Sequence, residues 1–262
     1  MPRAPKISPS AASRKPGLPT DLAALRARIA AATLPALPAQ RTERARRVLS
    51  AWLDSAGADG QDVDTVLRAL SSGAAAHQIG DALRAQMLEN PPEVVRNAAC
   101  ASGCAFCCIL TGPDGGTITG AEARALHTAL APFAGQPDGR AWHPKACPAL
   151  DPETRTCRSY AARPTICRSY LSTDAEACRE NSEGGSVQGG GVLGSHLDYL
   201  AVHAMVRAAL AGAVKVHSYA LRDVAVAAVT GQDARTALEQ ARHPVRTLGD
   251  ACTALAGAAK LG

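Results

Sequence analysis

Aromatic side chains are almost missing from this chain: two Trp, four Tyr and two Phe among 262 residues. Such side chains bury the most area each. A core here must therefore be assembled from Ala, Leu and Val, whose burial stabilises by roughly 25 cal/mol per Å². Long apolar runs are lacking as well. The most apolar stretch, 197–216, is broken by Asp198, His203, Arg207 and Lys215, which argues against a membrane span. The opening MPRAPKISPSAASRKPGLPT is polar and rich in Pro and Ser, without the apolar segment of an export signal, so a cytoplasmic location is expected. No Ser/His/Asp triad, paired-carboxylate motif or Walker loop stands out, which leaves hydrolytic and nucleotide-driven chemistry without support.

Cysteine, by contrast, is plentiful and crowded. Eight of the nine cysteines fall between positions 100 and 178: Cys100, Cys104, Cys107, Cys108, Cys147, Cys157, Cys167 and Cys178. Four of these are compressed into CASGCAFCC. Returns such as C-x3-C-x2-C bring sulfurs within metal-ligand distance. A disulfide scaffold is the competing reading, but it belongs with export, and the vicinal Cys107 and Cys108 are badly placed to bridge each other. Thiolates are soft ligands, suited to zinc or to an iron–sulfur cluster. Eight of them could make two four-thiolate zinc sites, or one 4Fe–4S cluster with thiols to spare. His143 could stand in for a cysteine. Cys252, on an Ala-rich helical pattern, reads as a buried small residue.

The rest of the pattern predicts a mainly α fold around this module. Residues 1–18 read as a disordered basic tail. Apolar stripes at helical spacing then run through 19–96: Leu22, Leu25 and Ile29; Ala45, Val48, Leu49, Trp52 and Leu53; Val63, Val66, Leu67 and Leu70; Ile79, Leu83 and Met87. The Cys-rich module spans 97–182. In it, 109–111 and 117–119 flank Pro113-Asp114-Gly115-Gly116, a turn signal compatible with a short β-hairpin. Thr119-Gly120-Ala121-Glu122 is a capping box that should open a helix through Leu130. A Gly-rich linker follows over 183–195, and helices resume over 196–262. Residues 1–50 carry ten Lys/Arg against Asp21 and Glu43, a balance of +8, so the remainder is −3. No nucleic-acid motif accompanies that charge, and solvated helix surfaces are the expected reading.

Beyond the first knot the elements continue in order as Cys147-Pro148-Ala149-Leu150, Cys157-x-x-Tyr160 and Arg163-Pro164-x-x-Cys167-Arg168. With CASGCAFCC they resemble the bacterial cysteine-cluster family of zinc- or iron-chelating proteins, the YkgJ-like family. The resemblance covers about residues 97–180 and implies metal chelation by the cysteines, without a defined reaction. Arg158, Arg163 and Arg168 would offset the charge of a thiolate site, and Tyr160 and Tyr170 would shield it. The expected function is a structural or partner-binding metal module, its protein partner unidentified. The alternative is an iron–sulfur redox or modifying enzyme, because Cys100, Cys104 and Cys107 also have radical-SAM spacing. That fold needs repeated βα units, which the sequence does not announce. Gly189–Gly194 formally matches GxGxxG, but no βαβ pattern surrounds it.

Overall fold

The computed structural model describes residues 17–110, 112, 114–187 and 190–258. The expected disordered tail lies, except for Gly17 and Leu18, outside them. The chain is mainly α. Its helices are α1 (Leu22–Ala31), α2 (Ala39–Ala58), α3 (Val63–Ser72), α4 (Ala74–Glu89), α5 (Glu93–Arg96), α6 (Gly120–Leu130), α7 (Gly139–Trp142), α8 (Thr165–Ser169), α9 (Ala175–Ser182), α10 (Gly194–Ala209), α11 (Leu221–Val229), α12 (Ala234–Gln240) and α13 (Thr247–Ala258). Among the described residues four three-residue strands accompany them: β1 (Thr117–Thr119), β2 (Tyr170–Ser172), β3 (Gly190–Val192) and β4 (Ser218–Ala220).

Local chemistry explains where the helices begin. Asp21, Asp62 and Asp233 accept from backbone N–H groups of the first turns of α1, α3 and α12, satisfying donors that a helix start leaves unpaired. The capping box at α6 forms as expected, with Thr119 and Glu122 bonding reciprocally. Gly73, at φ +83°, turns α3 into α4, a conformation that suits glycine.

Two hydrophobic cores result. The first joins the N-terminal helices to the C-terminal ones. Leu25, Ile29, Leu49, Leu53 and Leu70 pack with Leu200, Met205 and Leu210 of the α10 region, all at most 1% exposed. Helix α10 is its central strut, touching α1, α2, α4 and α13. Small residues let the helices approach: a Cβ placed on Gly80 of α4 would stand 3.3 Å from Tyr199 Cβ on α10. The second core holds α6 and α11 together and reaches the Cys-rich segment through Ala146, Cys147, Ala149 and Leu150. The stretches 19–96 and 196–262 are thus not separate bodies. Most of α10 belongs with the N-terminal helices, whereas α11 belongs with the module.

Among the described residues the expected hairpin does not form. Thr117–Thr119 pairs antiparallel with Ser218–Ala220, and Ile109 instead bridges Ala146. The turn at Asp114–Gly116 is occupied otherwise: its Asp114 and Gly116 carbonyls accept from Arg222 and Leu221 at the start of α11. Thr111 and Pro113 lie outside the described residues. Within the Gly-rich stretch, Gly190–Val192 is a strand, antiparallel to Tyr170–Ser172.

One buried carboxylate ties the two cores to the Cys-rich segment. Glu122 of α6 is 3% exposed and accepts from Thr165 N and Oγ1 at 2.7 Å each, from Thr119 N at 3.0 Å and from Tyr199 OH. His77 Nδ1 of α4 stands 3.3 Å away. Burial by itself would raise the Glu122 pKa; the bonds from His77, Tyr199, Thr165 and Thr119 outweigh it and bring the pKa down to about 2. Elements α4, α6, α8 and α10 meet at this group.

Candidate metal centre

The cysteines are delivered by loops and short helices whose folding is set locally. Ala99 N donates to Ser172 O at 2.8 Å, which lays the Cys100 segment against the end of β2, and the Cys100 thiol points at the same carbonyl, 3.9 Å away. Gly103, at φ +79°, allows the reversal that closes Cys104 N onto Ala101 O. A single 3₁₀ turn, Phe106–Cys108, then carries the vicinal pair.

Cys147 docks beside that turn: its N–H donates to Cys108 O at 2.8 Å, next to the Ile109–Ala146 bridge. Three residues later Leu150 bridges Cys157 across a tight loop. The Asp151 carboxylate organises that loop, accepting from Glu153 N, Thr154 N and Arg158 Nη2. Arg155 closes it at φ +56°. Cys157 Sγ lies 3.3 Å from Ser159 Oγ. Cys167 rides on α8, which has no side-chain cap of its own at Pro164 and takes the Glu122 carboxylate at Thr165 instead. Cys178 lies on α9, which packs on the Phe106–Cys108 turn.

The sulfurs influence one another in two overlapping groups. The Cys178 thiol is pushed up by burial and then by the charges of Cys107, Cys104 and Cys100. Cys167 is pushed well up by burial and by Cys147, Cys157 and Cys107. Cys147 is driven to about 12 by burial, with the charge of Cys157 adding to it. Cys108 donates its S–H to Cys107. That bond, burial and the charges of Cys107, Cys147 and Cys167 hold the Cys108 proton on. The same bond brings Cys107 down to about 7, aided by Arg163. Cys178 therefore feels Cys100, Cys104 and Cys107, whereas Cys108 feels Cys147 and Cys167, Cys147 feels Cys157 and Cys167 feels both Cys147 and Cys157; Cys107 acts on both groups. The sets touch at the vicinal pair.

Residues 99–184 match the CxxCxxCC family, described as a "putative zinc- or iron-chelating domain". No curated protein and no solved structure matches the chain.

The donor chemistry of this CxxCxxCC segment fits a soft metal. The thiols are numerous, Cys147 and Cys178 are buried, and guanidinium donors without partners belong to the same segment. Arg163 Nε and Arg158 Nη1 are both buried with no hydrogen-bond partner among the described residues, and a thiolate accepts such donors. Among the described residues, however, no three Cys, His, Asp or Glu side chains enclose an ion as they stand. Loading would draw the sulfurs of each set together in place of their protons.

The neighbours divide less evenly than their spacing suggests. Of the three arginines, Arg163 acts on Cys107 and stacks 3.8 Å from the Tyr160 ring centroid. Arg158 is tied to Asp151, and Arg168 to the carbonyls of Arg163 and Ala161. Tyr170 sits beside Cys178, Cys107 and Cys100, whose charges add to burial in raising its hydroxyl pKa. Tyr160 is 65% exposed, so it does not shield the sulfurs in the way its spacing predicts. His143 uses Nδ1 to accept from Lys145 N at 3.1 Å. Cys252 is 1% exposed in the first core, away from both sets.

Two positioning residues escape a reading by motif. Glu122 was legible as a helix cap, but its reach to Thr165, two residues before Cys167, was not. Gly139 opens α7 against Cys147: a Cβ there would lie 2.3 Å from the Cys147 carbonyl oxygen and 2.9 Å from Leu150 Cβ. A glycine following the N-cap Asp138 was the only available hint.

Proposed function

We propose that this protein binds two metal ions through two four-thiolate sets, Cys100/Cys104/Cys107/Cys178 and Cys108/Cys147/Cys157/Cys167, and that the ions are structural zinc. What supports this reading is that Cys100, Cys104 and Cys107 act on Cys178, while Cys147, Cys157 and Cys167 are linked with Cys108, so that the two groups meet at adjacent residues. Four protein thiolates close a tetrahedral site and leave no open position for substrate, as in structural zinc sites. Neighbouring residues can serve two compact ions. They are poorly suited to two four-iron cubes, whose bulk would crowd at Cys107 and Cys108.

Closed sites in a short-looped segment act as cross-links. The described residues of 134–195 form only short helices and strands before α10, and zinc bound there contributes folding free energy directly. The protein then works by presenting the surface so fixed to a partner. No helix among the described residues is long and apolar enough to cross a membrane.

Anaerobic purification followed by metal analysis and a visible spectrum tests the assignment. Colourless protein with close to two zinc per chain is expected. Iron with matching sulfide and a brown, air-sensitive absorption would overturn it in favour of a redox centre.

A further inference from the structure

Away from the cysteines, α2, α4 and the first turn of α10 line a half-open cavity of about 460 Å³, within the roughly 300–1,000 Å³ typical of small-molecule sites. Arg41, Arg44 and Arg47 line it from α2, Leu83 and Met87 from α4, and Ser195 and Asp198 from α10. The arginines recur at every third position and so share one helix face. Asp198 takes Arg44 through two hydrogen bonds, at 2.9 and 2.8 Å, and stands 3.7 Å from Arg41. One carboxylate thus faces two guanidinium groups, and a third lines the same cavity. Arg47 is exposed and makes no hydrogen bond or close ion pair among the described residues; Glu43, held by Arg46, feels its charge more weakly.

Ser195 is the independent sign that something is to be bound here. It is only 9% exposed, it belongs to the cavity wall, and its Oγ has no hydrogen-bond partner among the described residues. A buried hydroxyl left in that state costs about 1–3 kcal/mol. It sits in the first turn of a sixteen-residue helix whose N-cap, Leu193, offers no side-chain bond. The first N–H groups of such a helix carry partial positive charge and favour an anion.

We propose that this cavity binds a small phosphate monoester. The phosphate meets Arg41, Arg47, the Ser195 hydroxyl and the α10 N-terminus, and the apolar body of the molecule lies on Leu83 and Met87. The excess of two positive charges left after Asp198 matches a dianion better than a carboxylate. Arginine forks suit phosphate oxygens geometrically. The Gly-rich run ahead of α10 resembles a dinucleotide loop only superficially, because β3 is antiparallel to β2 and builds no βαβ unit. The site is independent of which metal the cysteines hold.

Calorimetric titration of the full chain, carrying the metal with which it is purified, tests this with phenyl phosphate at fixed ionic strength. Saturable one-to-one binding is expected, tighter than inorganic phosphate and tighter than benzoate. Arg47→Ala and Ser195→Ala should each weaken it about tenfold, the loss of one charge-assisted hydrogen bond. Arg235→Ala, an exposed arginine on α12, should leave it unchanged. Absence of saturation, equal weakening by Arg235→Ala, or benzoate binding as tightly as phenyl phosphate would overturn the proposal. Displacement of phenyl phosphate by a short single-stranded oligonucleotide at equal phosphate concentration would also overturn it, in favour of a nucleic-acid backbone.

Discussion

Glu122→Gln is the most informative single substitution in the buried joint. The two side chains have the same shape, yet nearly every neighbour of Glu122 points a donor at it: Thr165 N and Oγ1 and His77 at one oxygen, Thr119 N and Tyr199 OH at the other. An amide NH₂ must replace one of those oxygens. Either orientation turns N–H toward a buried backbone N–H, while the attraction to His77 is weakened. Stranding one buried donor and losing a charged acceptor together cost about 3–5 kcal/mol, a large share of the roughly 5–15 kcal/mol that holds a domain folded.

The pH dependence is a separate signature. Glu122 falls from its ordinary 4.5 to about 2 on folding. It therefore contributes stability above pH 4.5 that is lost as pH falls through about 2, amounting to about 3 kcal/mol. His77 has a raised pKa, chiefly through its bond to Glu122, so its contribution is present below 6.5 and disappears as pH rises through the raised value. Urea denaturation between pH 2 and 8, with wild type and Glu122→Gln compared at each pH so that acid release of metal is common to both, reads both limbs. Glu122→Gln should lower stability at pH 7 and flatten the acid limb. A loss under about 1 kcal/mol with an unchanged acid limb would refute this account of the joint.

Other outcomes follow from the same geometry. Gly139→Ala, whose new methyl would meet the Cys147 carbonyl, should destabilise by about 1–3 kcal/mol through overpacking and weaken metal retention, read by thermal melts with and without a competing chelator. Gly73→Ala sets a Cβ 2.3 Å from Thr119 Cβ at a φ of +83° and should cost about 2–4 kcal/mol. Its melting temperature should fall with metal content intact, and loss of the metal would contradict the assignment. Stripping metal from the wild type should expose residues 134–195 to limited proteolysis while the first core keeps its helicity by circular dichroism. Uniform unfolding would show that the metal holds both cores. Cys252→Ser should leave metal content unchanged.

The helices were readable because their signals are local. The Thr119–Glu122 box announced the start of α6, and the stripe of Val63, Val66, Leu67 and Leu70 announced α3. The cysteines announced themselves by spacing. Pairings across the chain were not readable, since three-residue strands such as Thr117–Thr119 carry too little pattern to name a partner a hundred residues away, and the nearby turn suggested the wrong one. The neighbourhood of Cys178 was hidden for the same reason: its helix α9 folds back onto the Phe106–Cys108 turn. The junction of the N- and C-terminal helices in one core was equally invisible, because an apolar stripe says that a face is buried without saying against what.

The central claim is that adjacent Cys107 and Cys108 serve different ions. Native mass spectrometry of the wild type, Cys178→Ser, Cys167→Ser and the double variant, each loaded with zinc, tests it most directly. The account predicts two, one, one and no bound ions respectively. A single ion in the wild type, or loss of every ion in either single variant, would contradict it.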